Sequence, residues 1–181
     1  MTLDCPLDCE YLREARKRER PAEVNPDEFP NQDIRVTETF LVDHELLLLA
    51  AGRAVLDAAL STPGAVDSDL REAFAALIRT QRTLESGLYY ETRPDNPVAA
   101  ELCRRIQAGI EQFRSAETER LHMTKTRDAD VLGVLAFLQR IELDRSNGRK
   151  RGRAFIDFMR GQFPAVSEES ALAAPSPLIV A

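Results

Sequence analysis

The sequence predicts an all-α protein, namely an antiparallel (up-down) four-helix bundle with an extra short N-terminal helix and a fifth C-terminal helix. Apolar residues recur in four long segments at a spacing of roughly 3.6 residues, the period of a helix buried on one face. No alternating β-branched run is present, and no Asn-Gly pair stands between two candidate strands. The connections at 61–67, 92–97 and 124–128 are short, which favours antiparallel neighbours.

The chain divides into three predicted parts. Residues 1–31 hold two cysteines, a charged helix at Tyr11–Arg20 and a linker that is broken by prolines. Because this helix is short and its apolar face is thin, we expect it to dock on the bundle or on a partner. Residues 32–164 form the bundle. Residues 165–181 lack helical periodicity and contain two prolines, so we expect a disordered tail.

Each helix of the bundle is predicted from a stripe of apolar side chains at helical spacing. The predicted bounds are Asp33 or Thr37 to Leu60, about Ser68 to Glu91, Asn96-Pro97 to about Met123, about Asp128 to Asn147-Gly148, and about Arg153 to Gly161. In the first of these helices, residues 46–49 are apolar on both sides. That run indicates either a central helix or a helix that also packs across a dimer.

Start and stop signals mark most of these bounds. Thr62-Pro63-Gly64 ends the first helix, because proline and glycine interrupt helical structure. Asn96 and Pro97 predict the start of the third, with asparagine as the cap and proline in the first helical position. Asp128 can cap the fourth, and Asn147-Gly148 is typical of a helix end.

The composition limits the classes of protein to which this chain can belong. The chain has 181 residues, 44% of them hydrophobic, which suffices for one core. A net charge of −6 argues against a dedicated DNA-binding domain, since neutralising phosphates dominates such binding. The start of the chain is neither basic nor apolar, and Leu46–Ala51 is too short to cross a bilayer, so we expect a cytoplasmic protein without a membrane segment.

Cys5 and Cys9 are the most concentrated reactive residues of the sequence. On a helix, residues four apart share a face, so the two thiolates would supply two of the four ligands of a zinc site. The other ligands would come from Cys103, His44, His122, a carboxylate or another chain. A redox pair and two ordinary thiols in a docking segment are the alternatives, and the cofactor stays open, with zinc as the candidate.

The two histidines allow a second kind of metal site. His122 ends an ExxH run that begins at Glu119, and di-iron bundles use such runs together with inward-facing glutamates. This chain has one ExxH run, and Glu119 lies off the apolar stripe of its helix. Histidines on the surface or at its boundary are the plainer interpretation.

A basic segment follows the fourth helix. Residues 145–153 carry five positive charges and two glycines just before the fifth helix. A Gly-containing basic loop that leads into a helix is a candidate site for phosphate or an RNA backbone. No aromatic residue stands among the cations, so stacking on bases is missing, and an acidic protein partner is an equal alternative. The candidate anion-binding residues are Arg149, Lys150, Arg151 and Arg153.

The sequence offers little support for an enzyme. It has no catalytic triad pattern, Walker loop or dinucleotide-binding glycine pattern. We therefore expect a non-enzymatic interaction module that binds a protein partner or a second copy of itself, with nucleic acid as a weaker alternative. A zinc or iron protein built on Cys5 and Cys9 is the second hypothesis, and a di-metal carboxylate enzyme is the third.

Overall fold

The computed structural model describes residues 30–87 and 90–163, and these residues form six packed helices without a strand. The helices are α1 (Glu38–Asp43), α2 (Glu45–Ser61), α3 (Asp67–Glu85), α4 (Pro97–Leu121), α5 (Asp128–Arg145) and α6 (Ala154–Gln162). The all-α prediction is therefore confirmed. The helix predicted at 11–20, the cysteine pair and the predicted tail at 165–181 lie outside the described residues.

The first predicted core helix is two helices. Thr37 caps α1, since its Oγ1 accepts a hydrogen bond from Phe40 N at 3.1 Å. The helical backbone then breaks at His44 and resumes as α2. The Phe40 ring fills the space over Gly133 of α5, where a Cβ would lie 2.5 Å from the Phe40 Cζ. This contact fixes α1 against α5.

The connection between α3 and α4 is longer than predicted. Helix α3 ends at Glu85 instead of Glu91, and Gly87 follows with a positive φ of 75°. The described part of the connection runs back along α3, because Thr92 N donates to Thr80 Oγ1 at 2.9 Å. The Asn96 side chain then donates to Asp69 Oδ1 at 2.7 Å. Helix α4 therefore starts beside the start of α3.

This return sets the direction of α4. Cys103 in α4 lies against Ala73 in α3, so the two helices run the same way. Helix α2 runs opposite to α4, with Ala54 against Gly109 and the start of α2 near the end of α4. The most extensive contacts join α3 with α5 and α2 with α4, not helices that follow each other directly. The predicted up-down topology, with consecutive helices as neighbours, is thus not confirmed.

Side chains from five of the helices form one core. Its largest fully buried apolar side chains include Leu70, Phe74, Ile78, Leu102, Ile106, Leu135, Phe155 and Ile156. Helix α6 belongs to this core, because Phe155, Ile156 and Met159 are buried and the Phe163 ring after it packs near Gly52 of α2. None of the helices in residues 30–87 and 90–163 is long and apolar enough to cross a membrane.

The segment before α1 is attached to α3 and α5 by polar contacts. Asn31, at a positive φ of 62°, donates to Gln139 Oε1 at 2.9 Å and accepts from the Arg82 guanidinium at 3.0 Å. Arg140 donates to the carbonyl oxygens of Asn31 and Ile34 at 2.9 and 2.7 Å. These bonds fix the segment that leads into α1 against α3 and α5.

Candidate functional site

His44 occupies the break between α1 and α2. Its Nδ1 lies 2.9 Å from the Phe40 carbonyl oxygen, and its Nε2 lies 3.2 Å from Asp130 Oδ1. The ring stacks on the Phe40 ring with a centroid distance of 4.4 Å. Both ring nitrogens therefore face oxygen atoms of the protein itself, and His44 positions the α1–α2 junction against the start of α5.

A groove of about 480 Å³ lies next to His44. The α1–α2 junction forms one wall, and the end of α4 with the connection to α5 forms the other. We call it the junction groove. Its lining residues are Val42, Asp43, His44, Glu45, Leu46, Leu47, Phe113, Glu117, Lys125, Thr126, Arg127 and Asp130.

Hydrogen bonds of Glu117 hold the second wall of the junction groove. Its carboxylate accepts from the backbone N of Lys125 at 2.9 Å, and from the backbone N and hydroxyl of Thr126 at 2.8 and 3.1 Å. Slight burial acts to raise the pKa of Glu117, but these hydrogen bonds outweigh it and lower that pKa. The Glu117 carboxylate thereby ties α4 to the connection that leads into α5.

Large apolar side chains are exposed at the junction groove. Val42 is 69% and Leu46 is 71% exposed, whereas Leu47, the next residue of α2, is 3% exposed. Leu49, Leu121 and Met123 are exposed at the same end of the bundle. Single exposed apolar residues are ordinary, but a group of them at the edge of a groove is typical of a binding surface.

Of the predicted metal ligands that fall within residues 30–87 and 90–163, Cys103 and His122 lie far apart on α4. Cys103 is buried and its Sγ donates to the Ala73 carbonyl oxygen at 3.4 Å. Burial raises the pKa of this thiol to about 12, and the charges of Glu72 and Glu91 act in the same direction. His122 ends α4 in the left-handed region, at a φ of 56°. Nineteen helical positions separate Cys103 from His122, which is about 28 Å along α4.

Among residues 30–87 and 90–163, no group of three or more His, Cys, Asp or Glu side chains is placed to hold a metal ion. Glu119 of the ExxH run is exposed, as are the glutamates that a di-metal site would need. Such a site would take Glu38 or Glu45 together with Glu85 or Glu91. Cys5 and Cys9 lie outside the described residues, so their role as zinc ligands stays a prediction.

A buried acidic cluster, formed by Asp67 and Glu142, joins α3, α5 and α6 and was not predicted from the sequence. Glu142 is 0% exposed, and its carboxylate accepts two hydrogen bonds from the Arg71 guanidinium at 3.0 and 2.9 Å. Asp67, also buried, accepts from the backbone N of Phe155 and Ile156 at 3.1 and 3.2 Å. Burial raises the pKa of both carboxyls, although these hydrogen bonds oppose the shift.

The acidic cluster changes the interpretation of the basic segment. Asp67 already binds the first backbone N–H groups of α6, where the sequence suggested that an anion could bind. Lys150, Arg151 and Arg153 are exposed on the connection that precedes α6. The predicted anion-binding side chains are therefore on the surface, but without the backbone donors of the helix start.

The sequence indicated one part of the junction groove and gave no sign of the other. The apolar run at 46–49 pointed to a second contact surface, and the structure places Leu46 and Leu49 on the exposed side of α2. The break at His44 had no signal, because Phe40, Leu41, Leu47 and Leu48 keep a helical spacing across it.

Comparison with family models, with curated proteins and with solved structures finds no match to this chain.

Proposed function

We propose that this protein is a non-enzymatic interaction module whose junction groove binds an apolar segment of a partner protein. The observation that carries the proposal is the contrast between Leu46, 71% exposed at the groove, and the buried Leu47 beside it. Covering exposed apolar surface on binding contributes about 25 cal/mol per Å².

Preorganised walls support the proposal. His44 holds one wall through Phe40 and Asp130, and Glu117 holds the other through Lys125 and Thr126. A groove that is already formed spares a partner the entropy of ordering it, so more of the apolar contact appears as affinity.

The chemistry of the lining defines the partner. Leu47 and Phe113 give an apolar floor, while Asp43 and Glu45 lie on one rim and Lys125 and Arg127 on the other. An amphipathic helix fits this arrangement, since its apolar face would contact the floor and its polar face the charged rims.

Photo-cross-linking tests the proposal. A benzophenone side chain is placed at Leu46 or at Lys125, on opposite walls of the groove, and at the exposed Arg79 of α3 as a control. We expect the first two positions to capture the same segment of one partner, identified by mass spectrometry, and the control to capture none of it.

A pair of variants provides the second measurement. Leu49 and Leu60 are both 47% exposed on α2, but only Leu49 lies toward the groove end. Leu49→Lys should abolish the cross-link and Leu60→Lys should preserve it, with circular dichroism and thermal melting unchanged in both. Capture of this same chain would show self-association instead, and equal capture from all three positions would refute the proposal.

A further inference from the structure

The connection between α5 and α6 presents cations on a fixed turn. Gly152 N donates to the Arg149 carbonyl oxygen at 2.9 Å, which closes a turn with Lys150 and Arg151 at its tip. The turn is attached to α3, because Asp67 N donates to the Gly152 carbonyl oxygen at 2.9 Å. A Cβ at position 152 would overlap Asn147 Oδ1, so a larger residue there would displace the Asn147 side chain, which accepts from Arg149 N. We call residues 149–153 the basic turn.

Three cations of the basic turn are exposed side chains without an ion-pair partner among the described residues. Lys150, Arg151 and Arg153 are exposed, and no carboxylate of residues 30–87 and 90–163 forms an ion pair with them. Elsewhere exposed arginines do find carboxylates, as Arg104 does with Glu101 at 2.6 Å. Three unpaired cations on an anchored turn form a local positive potential in a chain of net charge −6.

The start of α6 does not offer its backbone N–H groups to an anion at the basic turn. The backbone N of Phe155 and of Ile156 donates to Asp67 and is not available to a ligand. Phosphate recognition at a helix start depends on those donors. Arginine and lysine side chains bind carboxylates and phosphates alike without the backbone, so here the side chains would hold the anion.

We infer that the basic turn binds a short, carboxylate-rich segment of a partner protein. Phe155 is buried and the Phe158 ring is covered by the Arg145 guanidinium at 4.7 Å, so neither ring of α6 is offered to a nucleic-acid base. Asp144 and Asp157 lie on either side of the turn in the sequence and would repel any anionic chain that extends beyond it, which favours a short segment. A short acidic segment needs no aromatic ring and does not extend as far as these aspartates. The inference does not depend on the junction groove.

Fluorescence anisotropy with a labelled oligoglutamate peptide tests this inference, and a single DNA strand of mixed sequence is the competing probe. The variant is K150Q/R151Q/R153Q in the full chain. The control, R35Q/R79Q/R120Q, removes three exposed arginines that are in no ion pair with residues 30–87 and 90–163. Circular dichroism and melting verify that both variants fold.

We expect the wild type to bind the peptide and the basic-turn variant to bind it about tenfold more weakly, with the control within about twofold. Raising the salt from about 50 to about 200 mM should remove most of the difference, because salt screens exposed charges. The inference is overturned if the wild type does not bind the peptide, or if both variants lose equally. Tighter binding of the DNA strand, lost in the basic-turn variant, would assign the turn to nucleic acid.

Discussion

The two ends of the bundle differ in what they bury, since one end buries charged groups and the other exposes large apolar side chains. Where α3 and α6 begin, the carboxylates of Asp67 and Glu142 are buried. Where α2 begins and α4 ends, Val42 and Leu46 are exposed. Each end departs from the usual distribution, in which charged groups lie outside and large apolar groups inside.

At the first end, hydrogen bonds within the protein compensate for the burial of the two carboxylates. The Glu142 oxygens each accept a bond from Arg71, and the Asp67 oxygens accept from the start of α6. Buried charge is tolerated when it is paired and hydrogen-bonded in this way. The second end has no such compensation among the described residues. The first departure is compensated by bonds within the fold, whereas for the second we propose a bound partner.

The largest expected effect is a difference in the free energy of unfolding between substitutions of two adjacent leucines at the exposed end. Leu47→Ala removes a buried side chain and should lower the free energy of unfolding by about 3 to 4 kcal/mol. Leu46→Ala removes one that is 71% exposed and should change it by less than about 0.5 kcal/mol. Urea denaturation measures both. Equal losses would mean that Leu46 is buried, and the comparison of the two ends would fail.

At the buried end, Arg71→Ala leaves the fully buried Glu142 without its partner. We expect a loss of about 3 kcal/mol at neutral pH, near the lower limit for buried pairs because Arg71 is half-exposed. Arg53→Ala is the matched control, since Arg53 pairs with Asp57 on the surface and should cost less than about 0.5 kcal/mol. The role assigned to the buried pair would be wrong if the two variants were equally stable in urea.

Asp67→Ala tests the attachment of α6. It removes an acceptor from the backbone N of Phe155 and Ile156 and should cost about 2 kcal/mol. Hydrogen exchange of these two amides should become faster. Asp157→Ala, in the exposed first turn of α6, is the control and should leave their exchange unchanged. Unchanged exchange in Asp67→Ala would show that packing alone holds α6.

The smallest effect is a pH dependence. Burial raises the pKa of Glu142 despite Arg71, so the folded state holds this proton more tightly than the unfolded chain does. The resulting stability is fully present below the ordinary glutamate pKa and is lost as pH rises through the higher folded pKa.

Glu142→Gln cannot titrate at this position. The stability of the wild type relative to this variant should therefore fall as pH rises from about 4. Denaturation at a series of pH values measures the difference, in which the other titrating groups largely cancel. A difference that grows with pH would mean that Arg71 outweighs burial and lowers the pKa of Glu142.

Local signals predicted some parts of the fold well. Asn96 and Pro97 start α4 as expected, since Asn96 Oδ1 accepts from Val98 N at 2.9 Å. Asp128 is the first residue of α5 instead of its cap, a difference of one position. The end of α3 was missed, because the apolar Leu88 continued the stripe beyond Gly87, where the backbone turns.

The candidate site was less predictable. The apolar run at 46–49 indicated a second contact surface, but periodicity cannot say which of these side chains stays exposed. His44 appeared as a surface histidine or a metal ligand, whereas the structure engages both of its ring nitrogens with Phe40 and Asp130. Phe40 is four residues away, but Asp130 is distant in the chain and leaves no pattern in the sequence around His44.

The sequence by itself determined the class, the approximate helices and the basic turn, because periodicity, caps and charge runs act over a few residues. Only the tertiary structure decided the direction of α4, the burial of Asp67 and Glu142, and the exposure of Leu46 beside the buried Leu47. These features depend on contacts between residues far apart in the chain. Their energies are set by what surrounds each group after folding, which no local pattern records.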